Sequence, residues 1–123
     1  MTSIMLYTGS AAIFAWGVGH LIPTLSIVRG FGPLSDDNRH IITMEWVAEG
    51  ITLCFIGVLV FVSAMIFGTT SQTTIFVGRS CAGMLLTLAV LSTFTGARTA
   101  ILPMRICPLI KTLVAISFFM ATI

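Results

Sequence analysis

Apolar residues run along the chain in four long stretches, and none shows the strict alternation of a half-buried strand. The first extends from about Ile4 to Val28 and closes at Arg29-Gly30. The second extends from about Ile41 to Phe67 and closes at Gly68. The third extends from about Thr74 to Thr95 and closes at Gly96, and the fourth begins near Arg105 or Pro108 and reaches Ile123. A helix needs about 20 mostly apolar residues to cross the hydrocarbon of a bilayer. The pattern therefore predicts one all-α domain, residues 1–123, with four transmembrane helices in a compact bundle (about 4–28, 41–67, 74–95 and 105–123). A transmembrane barrel is excluded, because its strands are shorter and alternate. Counted from Pro108, the fourth span is only about 24 Å long, so it either starts earlier or meets a thinned bilayer.

The connections sharpen these limits. Residues 29–40 (RGFGPLSDDNRH) hold two glycines, a proline and a cluster of charges; residues 68–74 (GTTSQTT) are polar and uncharged; residues 96–105 (GARTAILPMR) are basic at both ends. Ser35 to Asn38 suit the start of the second helix, where their side chains can accept from free backbone N–H groups. Pro108 suits the first turn of the fourth. Arg29, Arg39, Arg98 and Arg105, with Lys111 just inside the fourth helix, fall at one end of the spans. The N-terminus, the second connection and the C-terminus have no lysine or arginine. The positive-inside rule then puts both termini on the non-cytoplasmic side of a multi-pass protein of the cell membrane. Arg79, near the outer end of the third helix, is expected to snorkel outward.

Composition agrees and removes other classes. Hydrophobic residues make up 57% of the 123 residues and charged residues 8%, against roughly 25% charged in a soluble domain. A soluble globular fold and a disordered chain are both excluded. Six basic residues with no cluster leave nothing for nucleic acid to bind. The three cysteines, Cys54, Cys81 and Cys107, lie in or beside apolar stretches without CxxC spacing, and read as small buried residues rather than a disulfide framework or a zinc site. No signal peptide is evident. Small residues should mark helix contacts, because lipid gives no hydrophobic drive and close backbone approach must supply the packing. Gly50, Cys54 and Gly57 form such a stripe on the second helix. Gly78, Ala82, Ala89, Thr93 and Gly96 form one on the third, and Gly9, Ala12, Gly17 and His20 a looser one on the first.

A few polar residues stand where the bilayer resists them. Glu45 and Glu49 share one face of the second helix, and Glu49 lies about 13 Å inside His40. An ionised acid at that depth needs a partner or a proton. The pair reads as a general acid/base pair, a proton or cation site, an anchor for a lipid-phase ligand, a contact with another subunit, or a structural network with Arg98, Arg79, His20 or Tyr7. His20 lies at a similar depth, beside Pro23, which breaks the helix ladder and opens a carbonyl. It can face Glu49, bond a neighbouring helix, or, with Gly17 and Gly19 making room, ligate a haem or chlorophyll. Arg98 is the natural countercharge for Glu45. Asp37, in the Asp36–His40 turn, reads as a solvated cap or as part of a cavity mouth. Trp16 and Trp46 would supply apolar walls. No metal-ligand spacing, P-loop or nucleophile motif occurs.

Gly17-x-Gly-His20-Leu-Ile-Pro23 on the first helix, followed by Glu45-Trp-Val-Ala-Glu49-Gly and a later Gly57, resembles the DoxX-like group of small four-helix membrane proteins over residues 13–60. That resemblance implies the four-helix fold and, for some members, a place as an accessory subunit of a quinone-linked oxidoreductase. Size and minimal extramembrane mass point to an accessory subunit of a larger electron-transfer or photosynthetic complex, packed against other subunits or further copies of itself. The alternative is a small membrane enzyme or binding protein for an apolar, lipid-like substrate, with Glu45 or Glu49 as acid/base, His20 as its partner, and Trp16, Trp46, Arg98 and Asp37 around the ligand. A third reading is a proton or ion path through the same residues.

Overall fold

The computed structural model describes residues 2–123, and they are helical almost throughout. Helix α1 is Thr2–Leu21, α2 Thr24–Gly30, α3 Asp36–Phe67, α4 Gln72–Phe94 and α5 Leu102–Ala121, with a single 3-10 turn at Gly96–Arg98. Four of these, all but α2, are long and apolar enough to cross a membrane. The chain is thus a small four-helix membrane protein, as its pattern predicts.

The helices run up and down in chain order and close into a ring. Helix α1 packs between α3 and α5, and α4 completes the ring against α5 and α3. Gly17 meets Gly50 and Cys54, while Gly57 meets Ser10 and Phe14, so α1 and α3 are antiparallel. Gly78 faces Thr122 and Gly96 faces Met104, which makes α4 and α5 antiparallel as well. Both termini and the 68–71 turn therefore gather at one end of the bundle. Three buried glycines set the spacing. A Cβ on Gly17, Gly50 or Gly57 would come within 2.7–2.8 Å of atoms on the facing helix, so these backbones touch as close packing in lipid requires.

Hydroxyls in the spans are mostly satisfied inside their own helices. Thr8, Thr52, Thr87 and Thr93 each donate to the carbonyl four residues back, which keeps polar residues tolerable on apolar surfaces. Ser35 caps α3 by accepting from the Asn38 N–H, with Asp36 and Asp37 in the first turn, and Ser71 caps α4 through Thr74. At the end with the termini, Arg79 donates to the Thr122 carbonyl at 2.6 Å.

Three boundaries differ from the sequence pattern. The first span is not one helix: Ile22 and Pro23 interrupt it, because Pro23 has no N–H to continue the ladder, and α2 is a separate short segment against α3. Helix α3 starts at Asp36 and is about 48 Å long, well beyond the roughly 30 Å of hydrocarbon. Helix α5 starts at Leu102, so Pro103 occupies the first turn and Pro108 lies inside the helix.

Candidate functional site

The interruption at Pro23 exposes the carbonyl of His20. Trp46 Nε1 donates to it at 2.6 Å and Thr24 Oγ1 at 3.2 Å. The end of α1 is thereby pinned to α3. The His20 ring is buried and held from three sides. Its Nδ1 is 3.0 Å from the Trp16 carbonyl; a carbonyl only accepts, so Nδ1 carries a proton. Trp46 stacks on the ring at 5.3 Å between centroids, and Trp16 meets it edge-on at 5.8 Å. What remains is Nε2, turned toward α3 and α5.

There it meets two other groups. Cys107 Sγ on α5 lies 3.8 Å from Nε2 and 3.8 Å from Glu49 Oε1 on α3. Glu49 Oε1 lies 3.9 Å from Nε2. Trp16 Nε1 donates to the same sulfur at 3.4 Å. Lys111, one turn beyond Cys107 on α5, has a fully buried side chain whose ammonium donates to Glu49 Oε1 and, at 2.7 Å, to Ser92 Oγ. Ser92 passes its own proton to the Leu88 carbonyl at 2.8 Å. A cation and an anion are thus paired inside the bundle with four helices contributing. Desolvating such a pair costs about as much as its attraction returns, so its presence is weak support for stability alone.

The cluster forms the floor of a groove. A cavity of about 390 Å³ opens between α3, α4 and α5, walled by apolar side chains such as Ile42, Leu88, Leu91 and Met104, and ending on Glu49, Lys111 and Cys107. Glu45 stands at its rim, one turn outward from Glu49 and exposed. Behind His20, a second cavity of about 320 Å³ is lined by Trp16, Gly19, Pro23, Trp46 and Pro103. The groove accepts an apolar body, and its floor supplies donors, acceptors and a proton route between Glu49, Cys107 and His20.

Several sequence expectations meet here and several do not. His20 and Glu49 do face each other at one depth, and Trp16 and Trp46 flank the site, although their N–H groups matter as much as their apolar faces. Glu45 is separated from Glu49 and shares no partner with it: among the described residues, the acidic side chain in ion pairs is Glu49. Arg98 is not the countercharge of Glu45; it is exposed and its guanidinium lies 5.9 Å from the Phe94 ring. Asp37 sits on the exposed first turn of α3, about 18 Å of helix away from Glu49. On His20, Nε2 is met by Cys107 and Glu49; of the two glycines expected to make room for a macrocycle, Gly17 is packed against α3 and Gly19 has nothing within 4 Å.

Three residues of the site, Ser92, Cys107 and Lys111, were not singled out by the sequence. Lys111 reads there as an interfacial cation, because a helix starting at Pro108 would put it one turn from the membrane edge. Starting at Leu102, the helix carries it about 13 Å inward, level with Glu49. Cys107 reads there as a small apolar residue, yet it is bonded on three sides. For Cys107 and Lys111 the available signal was their spacing of four, which puts both on the stripe that continues through Val114, Ala115 and Phe118. Comparison with family models, with curated proteins and with solved structures finds no match to this chain.

Proposed function

We propose that this protein binds an apolar, lipid-phase molecule in the groove between α3, α4 and α5 and holds its polar end on Glu49, Lys111 and Cys107. The observation that carries this reading is a buried Lys111 paired with the half-buried Glu49 at the end of an apolar groove between α3, α4 and α5. Its volume of about 390 Å³ falls within the range of small-molecule sites. Intramembrane ionisable groups facing a cavity are functional sites by default. Where the ligand carries an acidic C–H or a leaving proton, Glu49 and His20 are placed to accept and return it through Cys107. Glu45, hydrated at the rim, selects the head group rather than reacting with it.

The same reading places the basic end of the bundle, with Arg29, Arg39, Arg98 and Arg105, in the cytoplasm of the cell and both termini outside, and keeps the DoxX-like likeness of residues 13–60 as a proposal of kinship. An accessory-subunit role draws no separate support, since exposed apolar side chains such as Phe55, Phe76, Leu91 and Leu113 cover the outer faces of α3, α4 and α5, which suits lipid and a neighbouring subunit equally.

A fatty acid bearing a photoreactive group on its chain tests the reading. In detergent-purified protein, saturable cross-links are expected on Met84, Leu88 and Leu91, and Leu88→Trp should remove them by filling the groove. Labelling that does not saturate, or that Leu88→Trp leaves unchanged, contradicts it.

A further inference from the structure

Three helices bring three lone-pair donors to one point. Nε2 of His20, Oε1 of Glu49 and Sγ of Cys107 form a nearly equilateral triangle with sides of 3.8, 3.8 and 3.9 Å. Dividing the mean side by √3 puts the point equidistant from all three at about 2.2 Å from each. Zinc sits at about 2.0–2.1 Å from imidazole nitrogen, 2.0–2.2 Å from carboxylate oxygen and 2.3 Å from thiolate sulfur. The triangle has the size of a metal's coordination sphere; its one nitrogen–oxygen side, 3.9 Å, is too long for a hydrogen bond, and its two sulfur sides are long, weak S–H contacts.

The protons available leave the triangle's centre free for a cation. Nδ1 of His20 holds its proton against the Trp16 carbonyl, so in the neutral ring Nε2 is an acceptor. Glu49 is an acceptor too. Glu49 Oε1 already accepts from Lys111, and the Cys107 S–H can serve only Nε2 or Glu49 at one time, so without a cation the thiol bonds weakly, at 3.8 Å, to either. A cation at the centre would satisfy all three groups together.

We propose that His20, Glu49 and Cys107 form a three-ligand site for a first-row divalent cation of zinc type, with its fourth position open to the groove. The proposal deepens the ligand-binding reading and rests on it for the role of that open position; with Cys107 a thiolate ligand and Nε2 on the metal, it replaces the proton route through that thiol. Nitrogen, oxygen and sulfur donors suit zinc, and three protein ligands with one vacancy is the pattern of catalytic rather than structural zinc. Supporting contacts are already in place. The Trp16 carbonyl orients the imidazole and the Trp16 N–H faces the sulfur. Lys111 donates to the same Oε1 that forms a corner of the triangle; Glu49 has a second oxygen and four lone-pair directions in all, so a metal on Oε1 requires the ammonium to shift to Oε2. Glu45, one turn outward along the groove, offers an entry point for a cation.

Charge then specifies the ligand. Two positive charges on the metal and one on Lys111 oppose one on Glu49 and one on a Cys107 thiolate. One positive charge is left in a medium that tolerates little. An amphiphile with an anionic head, such as a carboxylate, would neutralise it at the open position. Bound there, the metal supplies Lewis-acid polarisation of that head.

The test uses purified full-length protein in detergent, stripped with chelator and titrated with Zn²⁺, and with Co²⁺ as a coloured substitute. One equivalent per chain is expected, with the strong visible absorption of four-coordinate Co²⁺ and a near-ultraviolet thiolate-to-cobalt band. Cys107→Ser should abolish that band and weaken binding by about 100-fold or more, and Trp16→Phe by about 10–100-fold. Cys54→Ser and Cys81→Ser should change neither. Lys111→Met removes a repelling cation, so Zn²⁺ should raise its melting temperature more than it raises that of the wild type. No stoichiometric metal in the wild type, or a cobalt spectrum that Cys107→Ser leaves intact, overturns the proposal. Metal-free protein that still gives saturable fatty-acid cross-links in the groove would overturn the metal site alone and leave the ligand-binding reading standing.

Discussion

The two ends of this bundle are built from the same four helices and solve different problems. Toward the termini, Leu6, Leu53, Val60 and Phe118 are fully enclosed and α1 touches α3 through glycine. The interior there is close-packed, and its polar exceptions are hydroxyls such as Thr74, bonded to the Ser63 carbonyl, and Ser10, buried without a partner. Toward the other end, the helices diverge around a groove, a helix breaks at Pro23, and four ionisable or thiol groups occupy the space that apolar side chains fill elsewhere. Lipid offers no hydrophobic drive for assembly, so the tight end holds the bundle by contact. That frees the open end to carry groups that contribute little to stability. The contrast teaches where to look for function: at the end that packs worse and charges more.

Breaking the open end should have the largest effect. Lys111→Met leaves the half-buried Glu49 without its cation; removing one partner of a fully buried pair costs about 3–5 kcal/mol, and with Glu49 part-exposed the loss should lie at the lower end, about 3 kcal/mol. Adding Glu49→Gln removes the stranded charge, and the double variant should recover most of that loss. Melting temperatures in one detergent check both; a double variant no more stable than Lys111→Met would contradict the pairing. At the packed interface, Gly17→Val puts carbon 2.7–2.8 Å from Cys54 and Gly50, and overpacking should cost about 1–3 kcal/mol, read from the same melts. Smallest is Gly83→Ala on the outer face of α4, where nothing lies within 4 Å of an added Cβ. Relief of glycine's entropy in a helix should stabilise by up to about 1 kcal/mol. A loss there of the size expected at Gly17 would mean that α4 is covered by something packed against it.

What the sequence revealed follows the same division. The four spans, the Ser35 cap and the glycine contacts were legible because each depends on local composition or on spacing within one helix. His20 facing Glu49 was legible from depth alone. The rest of the site was not, for a geometric reason. Its members come from positions 16, 20, 46, 49, 92, 107 and 111, and no local spacing links them. An error of three to six residues in the start of α5 was enough to move Lys111 from the core toward the membrane edge. Arg98 and Glu45 were paired by being at the same end, and side-chain direction, which spacing within one helix cannot give, kept them apart.

A native mass spectrum of the wild type beside the Glu49→Gln/Lys111→Met double variant, both in mild detergent, tests the central claim most directly. The wild type should carry one apolar small molecule per chain, and the double variant, folded and equally monodisperse, should have lost it. Identical spectra, with the same mass retained by both or by neither, would mean that the buried pair serves the fold and that the groove binds nothing through it.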